Sequence, residues 1–289
     1  MIFMNKQLKG SIALLTATVI WGFAFIAQSV GMDYVGPFTF NFTRMLLGSA
    51  VLVPVILWRD GRSPAHRKAH GLPELGSRRT LVVGGVCCGV MLFIGSTLQQ
   101  IGIQYTTAGK AGFITAMYIV LVPFLGLFYG RKPGIMAVIS VFLAVVGLYL
   151  LSCIGVSSIN IGDLLLIACA LAFAWQITLI DRYAANLDGL RLNCVQTIVV
   201  AVLSGVFMFL TEEPTVTDIV NCWLPISYAG ILSTGVAYSL QILGQKHLDP
   251  TPASLIMSLE SVFSVLAGWV ILKQALSSRE LLGCALMFA

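Results

Sequence analysis

The stretch LQQIGIQYTTAGKAGFITAMYIVLVPFLGLFYGR, residues 98–131, decides the fold because its pattern occurs again 142 positions later. The second copy is LQILGQKHLDPTPASLIMSLESVFSVLAGWVILK, residues 240–273. The matching pairs keep one register without a gap: Leu98/Leu240, Gln99/Gln241, Gly102/Gly244, Ala111/Ala253, Ile114/Ile256, Gly126/Gly268 and the basic pair Arg131/Lys273. One supersecondary unit therefore appears twice in the chain.

Each copy is predicted to form an apolar helix, a tight polar turn and a second apolar helix. The turns fall at TTAG (residues 106–109) and DPTP (residues 249–252). Both stretches break a helix and provide good residues for starting the next one. Internal duplication of apolar helices is typical of transporters more than of enzymes.

The composition places the chain in a lipid bilayer. Of its 289 residues, 58% are hydrophobic and only 10% are charged, with a mean hydropathy of +0.93. A soluble domain carries about 25% charged residues. The net charge of +5 does not indicate nucleic acid, because the basic residues lie in short loops between apolar segments.

Ten apolar segments are candidate spans, each near the roughly 20 residues that a span requires. They cover about 10–30, 38–58, 79–104, 108–130, 133–151, 162–183, 191–211, 219–246, 252–273 and a last segment from 278. The last segment reaches only residue 289, roughly 18 Å of helix at the usual rise. Since that is short of a core of about 30 Å, we expect the tenth helix to be truncated.

The lysines and arginines predict a cytoplasmic N-terminus. With that orientation, 13 basic residues are cytoplasmic and only Lys110, Lys273 and Arg279 face outward, while Arg44 lies inside a span. The outer loops carry acidic residues instead, such as Glu212 and Glu213. We expect a multi-pass protein of the bacterial inner membrane.

The two halves are predicted to run in opposite directions through the membrane. Residues 1–151 and 152–289 each hold five spans, and an odd number inverts the second copy, giving a pseudo-two-fold axis in the membrane plane. Two weaker matches between the halves support the duplication: Trp21 with Trp175, and Asn41 with Asn193. The predicted fold is an all-α membrane protein of ten helices in two inverted repeats.

The order and spacing of several short motifs resemble the EamA type of the drug/metabolite transporter superfamily, which includes bacterial amino-acid and metabolite exporters. The motifs are Trp21-Gly22, Pro37 with Arg44, residues 107–111 leading to Pro123, Leu259-Glu260, and Gly268-Trp269. The resemblance implies ten helices around a central cavity, lined mainly by helices 1, 3, 4, 6, 8 and 9, and alternating access. This chain departs from the pattern in two ways. It has Ser261 where the family usually has proline, so the pattern does not predict a kink there, and its tenth helix is short.

Charge inside a span is the main functional clue, since a charged side chain at mid-membrane costs about 2.5–3.5 kcal/mol on insertion scales. Glu260 lies eight residues inside helix 9. It would bind a proton or a substrate amine, or else serve as a structural carboxylate bonded to backbone or a serine. Arg44 would contact an anionic substrate group, or it would form a packing network with Asn41 three residues earlier. In the second case its long side chain would carry the guanidinium towards the outer membrane surface.

The polar and aromatic residues inside spans are candidates for a cavity wall. Gln99 and Gln241 are equivalent positions of the repeat, and amides suit zwitterionic or polar organic substrates. Trp21, Trp175, Tyr118 and Tyr238 would wall a cavity for flat or apolar ligands. For the glutamines the alternative is hydrogen bonding between helices. For the aromatic residues it is ordinary packing against neighbouring helices.

No metal or cofactor motif stands out. Cys87-Cys88 is not followed by cysteine or histidine at ligand spacing. His66 and His70 are four residues apart but lie in a basic loop, which favours a solvated loop over a zinc site. We expect no cofactor.

The sequence therefore predicts a carrier that exports amino acids or related small metabolites by alternating access, with proton coupling through Glu260 as a further element. An uptake carrier or facilitator for other metabolites or drugs is the main alternative. An intramembrane enzyme is disfavoured, because no HExxH or GxSxG pattern and no histidine deep in a span occurs. A channel or receptor is also less favoured, because it would predict a rigid open pore or a large soluble sensor domain, and the longest loop, roughly 59–78, is too short for such a domain. Its partners are a small-molecule substrate and the bilayer, and we expect a monomer or a weak homodimer.

Overall fold

The computed structural model describes residues 5–61, 77–128, 130, 134–152, 160–273 and 277–288, and within these ranges the chain forms helices and no strands. Part of the predicted basic surplus, at residues 62–76 and 131–133, lies outside the described ranges. His66 and His70 also lie outside them.

Ten helices, numbered in chain order, make up the described bundle. They are α1 (Lys6–Gly31), α2 (Pro37–Asp60), α3 (Arg78–Gly102), α4 (Ala108–Phe128), α5 (Ile135–Ser152), α6 (Ile161–Ala184), α7 (Gly189–Thr211), α8 (Trp223–Gln245), α9 (Pro250–Ser258 and Glu260–Leu272) and α10 (Ser278–Phe288). A 3₁₀ turn, Ile103–Tyr105, extends α3, and a short helix, Val216–Asn221, precedes α8. Among the described helices, all but α5 and α10 are long and apolar enough to cross a membrane. The predicted all-α membrane fold is confirmed, with eight helices of full spanning length.

Capping residues set where several helices begin. At α6, Asn160 and Asp163 exchange side-chain-to-backbone hydrogen bonds of 3.0 Å, which satisfies two donors that the first turn leaves unpaired. Thr107 accepts from the backbone of Lys110 at the start of α4, and Pro250 opens α9. Both predicted turns of the repeat therefore lead into helices.

Helices α2 and α7 occupy equivalent places in the two halves and run antiparallel to each other. The Glu212 carboxylate, just after α7, accepts hydrogen bonds of 2.8 Å from the backbone of Phe38 and Thr39 in the first turn of α2. At the other end, Arg59 of α2 forms an ion pair with Asp188, which caps the start of α7. Equivalent helices that run antiparallel require a two-fold axis perpendicular to their length.

The main packing contacts between helices follow this two-fold relation. Helix α3 packs on α6 and α7 as α8 packs on α1 and α2, and α4 packs on α6 as α9 packs on α1. The pairs α2–α7, α4–α9 and α5–α10 join equivalent helices directly, so they lie on the axis. The bundle thus consists of two inverted five-helix halves that interlock across a shared axis.

Helices α4 and α9 are broken at equivalent positions, Met117 and Leu259. Both residues have φ −61° and ψ −10°, and each amide donates to the carbonyl three residues earlier instead of four. The break in α9 is present although Ser261 replaces proline. There, the Ser258 and Ser261 hydroxyls donate to backbone carbonyls three residues earlier, and this type of bond bends helices.

One feature breaks the symmetry of the halves. Residues Tyr228–Ala237 of α8 form a π-helix, whereas the equivalent part of α3 is a regular α-helix. The Thr234 hydroxyl donates to the Ala229 carbonyl, five residues earlier, at 2.8 Å. Here α8 crosses α2 so closely that a Cβ on Gly48 would lie 2.4 Å from Thr234. Long π-helical turns are rare and occur often at functional sites.

We expect Glu212→Ala to lower the free energy of unfolding by about 1–3 kcal/mol, because the start of α2 loses a carboxylate that accepts three hydrogen bonds, including one from the Thr39 hydroxyl. Reversible unfolding of the purified protein in detergent measures the loss. Glu213→Ala is the matched control, since Glu213 is exposed and should change stability by less than about 0.5 kcal/mol. Equal effects of the two substitutions would contradict the capping role.

Candidate functional site

A cavity lies at the centre of the bundle, around the breaks in α4 and α9. It contains about 470 Å³ of space between atoms, of which about 40 Å³ admits the centre of a water molecule. Its wall comes from α1, α2, α3, α4, α6, α8 and α9: Trp21, Phe25, Gln28, Arg44, Gln99, Tyr118, Phe173, Gln176, Ile177, Ser233, Tyr238, Gln241, Met257 and Glu260. The six helices expected to line it all contribute, and α2 adds Arg44.

Most of the residues singled out from the sequence meet at this cavity. Seven of them line it: Trp21, Arg44, Gln99, Tyr118, Tyr238, Gln241 and Glu260. Asn41 is buried behind the wall, where it contacts Arg44. Trp175 is not part of the wall, and 37% of its surface is exposed.

The position of Trp175 follows from where α1 and α6 begin. Counted from the N-caps Asn5 and Asn160, the residue equivalent to Trp21 is Gln176, one position beyond Trp175. One residue turns a helical side chain by about 100°. Pairing the two tryptophans by identity therefore selected the outward neighbour of the residue that lines the cavity.

Helical spacing accounts for wall residues that the sequence reasoning missed. On α1, Phe25 and Gln28 follow Trp21 at four and seven residues, which places all three side chains on one face. On α6, Phe173 and Gln176 share a face at a spacing of three. Projecting from Trp21 along its own helix would have found Phe25 and Gln28.

Glu260 and Tyr118 form a hydrogen bond across the symmetry axis. The Tyr118 hydroxyl donates to Oε1 of Glu260 at 3.0 Å, and both residues are buried. They are 142 positions apart, so they are equivalent residues of the repeat. No ion pair involves Glu260 among the residues that the structure describes. The carboxylate thus lies in the membrane-spanning region with a neutral donor as its partner.

Arg44 is completely enclosed and turned towards the cavity. Its side chain is 1% exposed, so it does not extend outward to the membrane surface. Nε donates to Oδ1 of Asn41 at 2.9 Å, and the guanidinium carbon lies 5.8 Å from the centre of the Phe40 ring. Nη2 has no hydrogen-bond partner, and within the described ranges no carboxylate forms an ion pair with it. The expected contact with Asn41 is present, and a role of Arg44 in binding an anionic substrate group stays a prediction.

A chain of amides connects the cavity wall to the interior of α7. Gln241 donates to Oε1 of Gln176 at 3.3 Å, Gln176 donates to Oε1 of Gln196 at 3.4 Å, and Gln196 donates to Oδ1 of Asn193 at 3.0 Å. Asn193 ends the chain by donating to the backbone carbonyl of Thr234 at 3.1 Å, in the π-helical part of α8.

The end of this chain fixes the orientation of every amide in it. A backbone carbonyl only accepts, so the group of Asn193 that faces it must be the NH₂. Each preceding amide is then oriented in turn, and the Gln241 carbonyl oxygen remains as the free end. That oxygen is buried at the cavity wall and accepts no hydrogen bond within the described part of the protein.

Apolar clusters pack against the cavity on the sides that face the two ends of the bundle. Towards the end where α1 begins, Leu14, Val122, Ile177 and Met257 belong to one buried cluster. Beyond it lies a wider space of about 2070 Å³, including open solvent, lined by the ends of α4 and α6 and the start of α9. Towards the opposite end, Phe25 packs in a second cluster.

The whole chain is similar to known membrane transporters. The sequence profile of the EamA-like transporter family matches residues 8–153 and 160–289. An uncharacterized transporter of Archaeoglobus fulgidus is 31% identical over 98% of this chain and 84% of its own length. The uncharacterized transporter YoaV of Bacillus subtilis is 22% identical over 97% of this chain and 94% of its own. A solved crystal structure with 20% sequence identity superposes with a TM-score of 0.78, covering 96% of this chain and 93% of the other.

We expect Gln196→Met to lower the free energy of unfolding by about 1–3 kcal/mol, because the Gln176 NH₂ and the Asn193 carbonyl both lose a buried partner. Denaturation in detergent gives the value. Gln7→Met is the control, because Gln7 is exposed at the start of α1. A Gln196→Met protein as stable as the control would show that the amide chain does not hold α6 and α7 together.

Proposed function

The chain belongs to the EamA-like transporter family, and we propose that this membrane transporter exports amino acids or closely related small metabolites by alternating access around its central cavity. As a member of a transporter family, it is not an enzyme. The substrate class, the direction of transport and the mechanism of access are the proposed parts.

The chemistry of the cavity wall is the observation that carries the proposal. Trp21, Phe25, Phe173 and Tyr238 provide aromatic surface, and the wall also holds amides together with one cation, Arg44, and one carboxylate, Glu260. Ligand sites are mostly apolar with a few precisely placed polar groups. A small molecule with an apolar part and two opposite charges suits such a wall better than a lipid or an inorganic ion does.

The narrowness of the cavity supports alternating access. Ligand sites commonly measure about 300–1,000 Å³, and the space that admits water here is far smaller, with apolar clusters on both sides. The wall therefore has to widen before a substrate enters. The breaks at Met117 and Leu259 lie beside the cavity on symmetry-related helices. Small rotations there would open one end while closing the other.

The distribution of charge supports a cytoplasmic N-terminus in a bacterial inner membrane. At the end of the bundle where α1 begins, the described basic residues are Lys6, Lys9, Arg59, Arg78, Arg79, Arg182, Arg191 and Lys246. At the opposite end they are Lys110, Lys273 and Arg279. The basic end of a membrane protein faces the cytoplasm.

Proton coupling through Glu260 is a further part of the proposal. Its titratable neighbours are Tyr118 on α4, Tyr238 on α8 and Cys169 on α6, which are uncharged at neutral pH. A proton on Glu260 would therefore change the net charge of the cavity by itself. Protons entering from an acidic exterior would exchange for substrate leaving the cytoplasm.

We expect proteoliposomes loaded with an unlabelled amino acid that is a substrate to accumulate the same labelled amino acid by counterflow. The rate should saturate with substrate, because a carrier has a finite number of sites. A panel of neutral, acidic and basic amino acids together with cationic drugs measures this. A flux that rises linearly without counterflow would indicate a channel, and counterflow of drugs alone would contradict the amino-acid proposal.

We expect Glu260→Gln to remove the dependence of efflux on a pH gradient, since the amide still accepts the hydrogen bond from Tyr118 but does not take up a proton. Glu213→Gln makes the same chemical change at an exposed position outside the spans and serves as the control. Efflux is measured with and without an imposed gradient. A pH dependence identical to that of the unmodified protein would refute coupling through Glu260.

A further inference from the structure

We propose that Arg44 is the anchor for the substrate carboxylate, and that the Gln241 carbonyl together with Glu260 receives the substrate ammonium group. This assignment rests on the proposed function and names the residues that would recognise a zwitterion. Its basis is the set of polar atoms at the cavity wall that have no partner within the protein.

The guanidinium of Arg44 is a buried cation with spare donors. Five N–H groups are available on an arginine, and Nε is held by Asn41, which fixes the direction of the planar group. Nη2 is buried without a partner, in a residue that lines the cavity. A buried charge left without a counter-charge is unfavourable. A bound carboxylate supplies both the charge and two acceptor oxygens in the geometry that arginine pairs with best.

A second free donor lines the same cavity. The Trp21 indole nitrogen is buried and makes no hydrogen bond with the described residues. The indole ring packs against the ring of Tyr238, with centroids 5.2 Å apart, and Arg44 lines the same cavity as both rings. Two unused donors in one cavity wall can serve an acceptor group of a ligand.

Free acceptors are provided by α8 and α9, and by α1, where Oε1 of Gln28 is also buried at the wall without a partner in the described part of the chain. The amide chain from Asn193 leaves the Gln241 carbonyl as its unpaired end, one turn along α8 from Tyr238. Glu260 holds one donor, the Tyr118 hydroxyl, so its carboxylate retains the capacity to accept more. Gln241 and Glu260 line the same cavity as Arg44 and Trp21. Donors and acceptors therefore face one shared space.

This arrangement defines a ligand class by its two ends. A cation without a carboxylate meets the positive charge of Arg44, and a dicarboxylate brings a second negative group towards Glu260. A neutral α-amino acid satisfies both ends, and its side chain lies against the aromatic wall of Phe25 and Phe173. Amino acids with apolar or aromatic side chains fit best.

The test compares matched ligands by titration calorimetry on the purified full chain in detergent. The probes are L-phenylalanine, L-leucine and L-alanine, their carboxamides, and 3-phenylpropionate, which keeps the carboxylate but lacks the amine. The unmodified protein should bind an amino acid at least about tenfold more tightly than its carboxamide, the range expected for a charge-assisted pair. Arg44→Gln should bring that ratio close to one.

Two further variants keep the result interpretable. Arg44→Lys retains the positive charge but lacks the paired N–H donors of the guanidinium, so the ratio of acid to carboxamide affinity should be intermediate. Arg59→Gln makes the same change as Arg44→Gln on the same helix, but at an ion pair with Asp188 outside the cavity, so the ratio should stay that of the unmodified protein.

Equal affinity for acid and carboxamide in the unmodified protein would overturn the assignment of Arg44. So would an Arg44→Gln protein that weakens both ligands equally, because this would indicate a structural role. The absence of binding by every carboxylate probe counts against it too. Binding of 3-phenylpropionate that depends on Arg44, without binding of any amino acid, would retain the anchor and refute the proposed amino-acid function.

Discussion

The hydrogen bond between Tyr118 and Glu260 is the contact around which the bundle is arranged. The two residues are equivalent positions of the repeat and touch each other, which is geometrically allowed only where the two-fold axis passes between them. A carboxylate in the membrane-spanning region needs a partner, so the bond holds α4 and α9 together at this point. The helix breaks at Met117 and Leu259 lie directly beside it. The symmetry axis, the buried carboxyl group and the breaks in the two helices therefore coincide.

The same requirement, that polar groups away from water find partners, separates two kinds of polar residue. Some are satisfied within the protein and hold helices together, as Lys110 does with Asp163 across α4 and α6 at 2.8 Å. Others face the cavity with an atom left over, as Arg44, Trp21 and Gln241 do. Among the described residues, buried polar atoms without a partner also occur outside the cavity. Those at the cavity differ because they line a space in which an incoming ligand or water could complete their hydrogen bonding.

The sequence was sufficient for the fold because duplication and apolar length are simple patterns. The register from residue 98 to residue 240 predicted two helical units, and the odd number of spans predicted their inversion. Glu260 and Arg44 stood out because charge is rare within apolar segments. The partner of Glu260 was also within reach, since Tyr118 lies at the equivalent position.

Other features depend on details that a repeat pattern does not encode. Trp175 and Trp21 are the same residue type, but they lie at different distances from the starts of their helices. Gln176, at the position equivalent to Trp21, lines the cavity instead. The π-helix in α8 lies where α8 crosses α2 closely at Gly48, a tertiary contact that the repeat pattern does not show. The amide chain joins α8, α6 and α7 through residues far apart in sequence. Single-residue shifts and long-range contacts thus limited what the sequence alone predicted for the site.

The inverted relation of the two halves is tested most directly at Thr107 and Asp249, the equivalent N-cap residues of α4 and α9, both exposed. Each is replaced by cysteine in a protein whose seven native cysteines have been removed, and whole cells are treated with a membrane-impermeant maleimide. The account predicts that Thr107→Cys reacts in intact cells, whereas Asp249→Cys reacts only after the membrane is permeabilised. Labelling of both cysteines from the same face would contradict the inversion and, with it, the central cavity between the halves.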